Sequence, residues 1–155
     1  MFRVRKSALA PLCLALAALA PSAGAQCQNQ AQAIKNTARA IGDMGAAAPA
    51  QAEKLAKVKA IFDELARKMG WDETRTLEFQ RGLAQNEDYR AVELQRKRLE
   101  PAREALRTRL YALEGTPKHI EACKVSAELA AVTAELGRLD DVLFDYLLAG
   151  AAAVQ

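Results

Sequence analysis

The densest group of side chains that could bind a ligand is a set of arginines near the middle of the chain. Arg96, Arg103 and Arg107 are separated by seven and four residues, a spacing that places them on one face of a helix. Guanidinium groups in this arrangement bind anions such as phosphate or carboxylate. Three glutamates are interleaved with them, so a solvated, ion-paired face is the alternative interpretation. Aromatic side chains that would stack on bases are scarce in this region, which argues against a nucleic-acid surface.

Other groups that could do chemistry are isolated. His119 is the only histidine, and no serine, cysteine or acid is obviously placed to form a catalytic triad with it. Met44, Met69 and His119 are of the types that ligate haem iron, but all fall at the ends of predicted helices and no CxxCH motif is present. Three aspartates at 140, 141 and 145 form an acidic cluster in which 141 and 145 share a helix face, but carboxylates from about one turn of a single helix do not enclose a metal ion. We therefore predict a non-catalytic protein with no metal site and no cofactor.

The N-terminal residues have the pattern of a secretory signal peptide. Arg3, Arg5 and Lys6 precede the apolar run ALAPLCLALAALA, and the small residues at 23–25 suit a signal peptidase. The run is too short to span a bilayer. We predict that residues 1–25 are cleaved as a bacterial Sec-type signal and that the mature protein is periplasmic or secreted.

Cleavage would change the charge balance of the chain. It removes three of the 22 basic residues and none of the 19 acidic residues. The net charge then falls from +3 to about zero, which leaves no overall positive field to attract nucleic acid or anionic lipid. No second apolar segment is long enough to cross a membrane. We predict a mature chain that neither inserts into a membrane nor binds nucleic acid.

The cysteines point to a covalent link. Cys13 would be lost with the signal peptide, which leaves Cys27 and Cys123 in an oxidising compartment. A lipid on Cys27 is disfavoured because Gln26 stands where a lipoprotein signal has a small residue. A disulfide or two free thiols remain, and we predict the disulfide.

Apolar residues recur with the helical period, and no segment shows sustained two-residue alternation. The pattern predicts five helices, over about 27–41, 50–69, 73–84, 87–113 and 117–148. Gly70 is predicted to end the second helix, and Asp72, Asn86 and Thr116 are predicted to cap the third, fourth and fifth. Apolar residues at helical spacing are expected to form the core-facing stripe of the second helix (Leu55, Val58, Phe62, Leu65 and Met69) and of the fifth (Val125, Leu129, Val132, Leu136, Leu139, Leu143 and Tyr146). The sequence GAAAPA at 45–50 is predicted to be a linker. Residues 26–149 are predicted to form a single helical domain, followed by a frayed tail at 150–155.

The last two predicted helices are expected to form a long antiparallel hairpin. Facing residues would have numbers that sum to about 231 if the register stayed constant. Four pairs of opposite charge then face each other: Arg90 with Asp141, Glu93 with Arg138, Arg96 with Glu135, and Arg103 with Glu128.

A second register argument concerns the first and last predicted helices. Cys123 shares a face of the last helix with small residues at 127, 130 and 134. The first helix repeats this spacing from Cys27 through 31, 34 and 38, always 96 residues earlier. Two parallel helices linked at their N-terminal ends by the disulfide would meet in this register.

The sequence thus predicts an all-α, disulfide-stapled bundle in which shorter N-terminal helices pack on a long hairpin with coiled-coil-like pairing. The expected function is that of a secreted interaction protein, such as an adaptor, an inhibitor or a chaperone-like protein, with another envelope protein as its partner. The alternative is a bundle that binds or processes a small anionic ligand through Arg96, Arg103 and Arg107. The two interpretations differ in whether the arginines line a cavity or pair across the hairpin.

Overall fold

The computed structural model describes residues 27–154, so the predicted signal peptide lies outside the described residues. The described chain contains four helices and no strand: α1 (Gln30–Met69), α2 (Glu73–Ala84), α3 (Glu87–Leu113) and α4 (His119–Ala152). The all-α fold class is confirmed. The predicted number of helices is wrong, because the first two predicted helices are one.

Helix α1 runs without interruption through the segment that was predicted to be a linker. Residues 45–50 are helical, and Pro49 lies inside the helix. The alanines of this segment have the highest helix propensity, which offsets the cost of the neighbouring glycine and proline. Pro49 is exposed, so water can reach the carbonyl that loses its helical partner. The Gly and Pro signals therefore did not end the helix.

Most helix ends follow the local chemistry of the sequence. Gly70 ends α1 with φ of 65°, the left-handed conformation that glycine adopts without a Cβ clash. The Asp72 side chain accepts a hydrogen bond from the Arg75 N–H at 2.8 Å, and Asn86 caps α3 in the same manner. These three predictions are confirmed.

The start of α4 differs from the prediction of a Thr116 cap. The Thr116 hydroxyl donates to the Leu113 carbonyl at 2.7 Å, so it closes α3. Helix α4 begins at His119, after Lys118, which makes no side-chain capping bond.

Helix α4 is the centre of the fold. Both α1 and α3 pack along it, α1 parallel and α3 antiparallel, but in the described chain no Cα atoms of α1 and α3 approach within 8 Å. Its buried stripe is the predicted one: Val125, Leu129, Val132, Leu136, Leu139 and Leu143. The result is one central helix flanked by two helices whose Cα atoms stay more than 8 Å apart within residues 27–154.

Apart from the α4 stripe and Leu113, the buried hydrophobic residues of the described chain form two clusters at opposite ends of α1. The apolar end contains Val58, Phe62, Leu65 and Ala151, with aromatic residues of α2 and α4 packed around them. The disulfide end contains Cys27, Ala33 and Cys123. Ala151 is fully buried and α4 extends to Ala152, so the tail predicted to fray from residue 150 is helical there and contributes to the core.

None of the four helices is both long enough and apolar enough to cross a membrane, within residues 27–154.

Candidate binding groove

A disulfide joins Cys27 to Cys123, as predicted, with their Cα atoms 5.9 Å apart. Both cysteines are almost completely buried. The Ser126 hydroxyl, also buried, donates to the Cys123 carbonyl at 2.9 Å. The link therefore lies within the packed N-terminal end of α4.

The register inferred from the two cysteines is wrong. Thr133 contacts Met44, and Asp140 contacts Gln51, so facing residues of α1 and α4 are 89 apart in the sequence, one heptad fewer than predicted. Cys27 lies in a turn before the N-cap Asn29. Helical counting that starts at Cys27 therefore names the wrong face of α1: Ala33 is buried, whereas Ile34 and Ile41 are about half exposed.

The predicted pairs across the α3–α4 hairpin are also replaced by others. Near the turn, Arg109 contacts Glu121 at 2.9 Å, which fits the predicted register. Farther along, Tyr89 packs on Tyr146 with ring centroids 5.7 Å apart. The sum of the two facing residue numbers thus rises from 230 near the turn to 235 at the far end of the hairpin, so the register is not constant.

Residues of the predicted hairpin pairs form other ion pairs. Arg96 pairs with Asp140 rather than Glu135, at 2.5 Å. Glu135 instead pairs with Arg138 on its own helix, and Asp141 pairs with Lys54 of α1. Since Asp140 also accepts a hydrogen bond from Gln51 at 2.5 Å, one carboxylate of α4 connects α1 to α3.

The separation of α1 from α3 leaves a groove above α4, which we call the α1–α3 groove. Its polar section has a volume of about 510 Å³ and is bordered by Gln51 and Leu55 of α1, Tyr89 and Arg96 of α3, and Asp140 of α4. Burial and the nearby Glu93 carboxylate raise the pKa of the Tyr89 hydroxyl. Tyr89 is therefore neutral at ordinary pH and presents a ring and a hydrogen-bonding group.

The groove continues into an apolar section toward the C-terminal end of α1. This section has a volume of about 740 Å³ and shares Leu55, Tyr89 and Leu147 with the polar section. Helix α2 adds Leu77 and Arg81 as a further wall. Leu55 and Leu77 are 59% and 42% exposed, so this section has two large apolar side chains that a partner could reach.

The exposed apolar surface extends along α1 beyond these two sections. Ile34, Ile41 and Leu55 are separated by one and two heptads, and each is about half exposed. Residues seven apart on a helix share a face. The stripe therefore runs along the α1 wall of the groove. The predicted register instead places Ile34, and with it this face of α1, against the last helix, so the sequence pattern does not indicate the stripe.

The three predicted anion-binding arginines have different surroundings. Arg96 borders the groove, but Asp140 and Glu100 already accept hydrogen bonds from its guanidinium, and the bond to Asp140 raises the pKa of Arg96. Arg107 is exposed and pairs with Glu104. Arg103 is exposed as well, and within residues 27–154 it has no ion pair. Anion binding by these residues stays a prediction.

The remaining reactive groups do not assemble into a site. His119 lies in a shallow depression with Lys118 and Lys124 at the start of α4. In the described part of the chain, no three side chains of the histidine, cysteine, aspartate or glutamate types are grouped so that they could hold a metal ion.

No protein-family model matches the chain, and no curated protein or solved structure matches it. The groove is therefore the basis on which a function can be proposed.

Proposed function

We propose that this protein is a non-catalytic interaction protein of the bacterial envelope, and that it binds an amphipathic helix of a partner protein in the α1–α3 groove. The observation that carries the proposal is the accessible apolar stripe on α1, which meets the apolar section of the groove at Leu55. Helix-in-groove recognition uses such a surface, with anchors on the partner spaced at one face of its helix.

The length of the stripe favours a helical partner over a small molecule. Ile34 and Leu55 are 21 residues apart, which corresponds to about 31 Å of helix at 1.5 Å per residue. A drug-sized ligand would cover one section of the groove only. A partner helix of about 20 residues would cover the whole stripe.

The geometry of the walls also fits a helix. Helices pack at interaxial distances of about 8–10 Å, and α1 and α3 are held apart by α4. A third helix laid above α4 could contact both walls. Its apolar face would meet Leu55 and Leu77, and its flanks would meet the charged side chains of α3.

A periplasmic or secreted location is part of the proposal. A disulfide between Cys27 and Cys123 persists in oxidising compartments such as the bacterial periplasm. The residues predicted to form a signal peptide agree with that location.

The second candidate function is binding of a small anionic ligand by the α3 arginines. It is supported by the position of Arg96 at the groove. It ranks lower because the Arg96 guanidinium already has two carboxylate partners, which an anionic ligand would have to displace.

Site-specific photo-crosslinking in the native envelope tests the proposal. A photoreactive residue replaces Leu55, and the matched control replaces Leu94, which is 50% exposed on α3 and outside both sections of the groove. We expect the Leu55 probe to label one protein, at a segment with an amphipathic helical sequence. A synthetic peptide of that segment should then bind the purified protein and lose binding on Leu55→Asp but not on Leu94→Asp.

Three results would contradict the proposal. The first is identical adducts from both positions. The second is no adduct from Leu55. The third is a crosslink from Leu55 to a second copy of this chain, which would identify the groove as a surface for self-association.

A further inference from the structure

We infer that Arg81 selects the partner, and that the segment bound in the groove carries a carboxylate beside its apolar face. This inference rests on the proposed function, because it concerns the chemistry of the helix that occupies the α1–α3 groove.

The apolar section of the groove has two cationic residues on its border, Lys59 and Arg81. They differ in their surroundings. The Lys59 ammonium pairs with Asp63 one helical turn away, at 2.6 Å. Arg81 is exposed at the last turn of α2, and no carboxylate of residues 27–154 lies within ion-pair distance of it. Arg81 therefore presents an uncompensated positive charge beside an accessible apolar surface.

Charged side chains around the polar section are compensated within the chain. Arg96 pairs with Asp140, and Glu93 pairs with Lys97. Arg98 and Arg103 also lack ion-pair partners among the described residues, but neither borders the two sections of the groove. Arg81 is distinguished by having both properties, an unpaired charge and a place at the groove.

The chemistry of guanidinium indicates what would meet this charge. Arginine binds a carboxylate through two parallel N–H bonds in a fork that fixes orientation as well as charge. An apolar helix face packed on Leu55 and Leu77 would exclude water from part of this contact, and an ion pair is screened less where water is excluded. A Glu or Asp placed one turn from the partner's apolar anchor would be within reach of Arg81.

Arg81 also has a purely structural interpretation, since a cation in the last turn of a helix interacts favourably with the helix dipole. A structural role would change the stability of the protein without changing its preference between partners of different charge. The two roles are thus separated by a binding preference.

The test uses two synthetic amphipathic peptides of about 20 residues with the same leucine face, one with glutamates and the other with lysines beside that face. Fluorescence anisotropy measures their affinity for the wild-type protein, Arg81→Glu, and the matched control Arg98→Glu. We expect the wild type to prefer the acidic peptide by up to about fivefold, the scale of one partly exposed ion pair. Arg81→Glu should reverse this preference, and Arg98→Glu should leave it unchanged.

Further variants separate failure of this inference from failure of the proposed function. Equal affinity of the wild type for both peptides, or a preference that survives Arg81→Glu, overturns the role of Arg81. In that case binding that is lost on Leu55→Asp still supports the groove. Failure of both peptides to bind the wild type overturns the helix-binding groove and this inference together. Circular dichroism shows whether each variant keeps the wild-type helix content.

Discussion

The two ends of α1 are attached to α4 by different means. At the apolar end, Val58, Phe62 and Leu65 are buried against α2 and the end of α4. At the disulfide end, Ala33 is the only buried side chain of α1 itself, and it lies beside the disulfide. No residue of 34–57 is buried.

This difference indicates that the covalent bond replaces apolar burial. A helix segment of about 20 residues is marginally stable alone in water, and here it is fastened at its beginning by Cys27 and at its far end by the apolar cluster. Because the segment is fastened at both ends, its apolar residues Ile34 and Ile41 can remain uncovered. The α1 wall of the groove therefore depends on the disulfide for its position.

Removal of the disulfide is expected to have the largest effect. In the double variant Cys27→Ser/Cys123→Ser, a loop closed across 96 residues of sequence is opened, and the chain-entropy relation gives a loss of about 4–5 kcal/mol. Urea denaturation measures the total loss. Hydrogen exchange should show loss of protection over residues 30–49, with residues 58–69 still protected under conditions where the domain remains folded. Uniform loss of protection along α1 would contradict the division into two ends.

Truncation of a core side chain sharpens the same comparison. Phe62→Ala removes a buried ring that packs near Phe79, with centroids 6.2 Å apart, and should cost about 3–5 kcal/mol in the free energy of unfolding. The matched variant at the disulfide end, Ile41→Ala, removes a half-exposed side chain from a helix and should cost less than about 1 kcal/mol. Chemical denaturation of the two proteins measures both values, and similar costs would show that the stripe on α1 is already covered.

Alanine substitutions at two glycines should change the stability by smaller amounts, with opposite signs at the two positions. An added Cβ at Gly150 would lie 2.5 Å from Leu83 Cδ2, whereas nothing lies within 4 Å of a Cβ at Gly42. Gly150→Ala should destabilise the apolar end by about 1–2 kcal/mol through overpacking. Gly42→Ala should stabilise the protein by about 0.5–1 kcal/mol. Thermal denaturation checks the signs. Stabilisation by both substitutions would mean that Leu83 moves aside freely.

The smallest expected effect is the pH-dependent contribution of one ion pair in the middle of α4 to the stability of the protein. Hydrogen bonds from Arg138 lower the pKa of the Glu135 carboxyl below its usual 4.5. A lowered pKa in the folded state stabilises the protein above the unfolded pKa, and this contribution is lost as pH falls through the folded pKa. Near neutral pH, Glu135→Gln should therefore lower the free energy of unfolding by less than about 1 kcal/mol, because the ion pair is partly exposed. At strongly acidic pH the substitution should leave the free energy of unfolding unchanged. Urea denaturation at the two pH values measures the difference, and a cost independent of pH would exclude the ion pair as its source.

Sequence reasoning was accurate where the cause is local. The caps at Asp72 and Asn86, the glycine stop at Gly70 and the buried stripe of α4 depend on near neighbours or on one helical period, and the structure confirms them. Sequence reasoning failed where neighbouring residues and tertiary contacts outweighed a local helix-ending signal. The glycines and Pro49 suggested a linker, but alanine-rich neighbours and the anchorage of both ends keep α1 continuous.

Sequence reasoning about the groove failed for a different reason. Arg96 was identified as a candidate, but its partner is Asp140 rather than Glu135, because the hairpin register drifts with distance from the turn. Leu55, Leu77 and Arg81 come from segments that only packing brings together. Leu55 was assigned to the core by its spacing, which specifies a face of α1 but not which part of that face is left uncovered.

The sequence by itself determined that the described chain is helical, that Cys27 and Cys123 pair, and which residues of α4 are buried. Each of these results follows from periodicity or from the chemistry of a single residue type. Only the tertiary structure decided that α1 and α3 stand apart, that Gly150 meets Leu83, and that an uncompensated arginine borders an accessible apolar surface. These features depend on the relative position of helices, which is fixed by the sum of many weak contacts between distant parts of the chain.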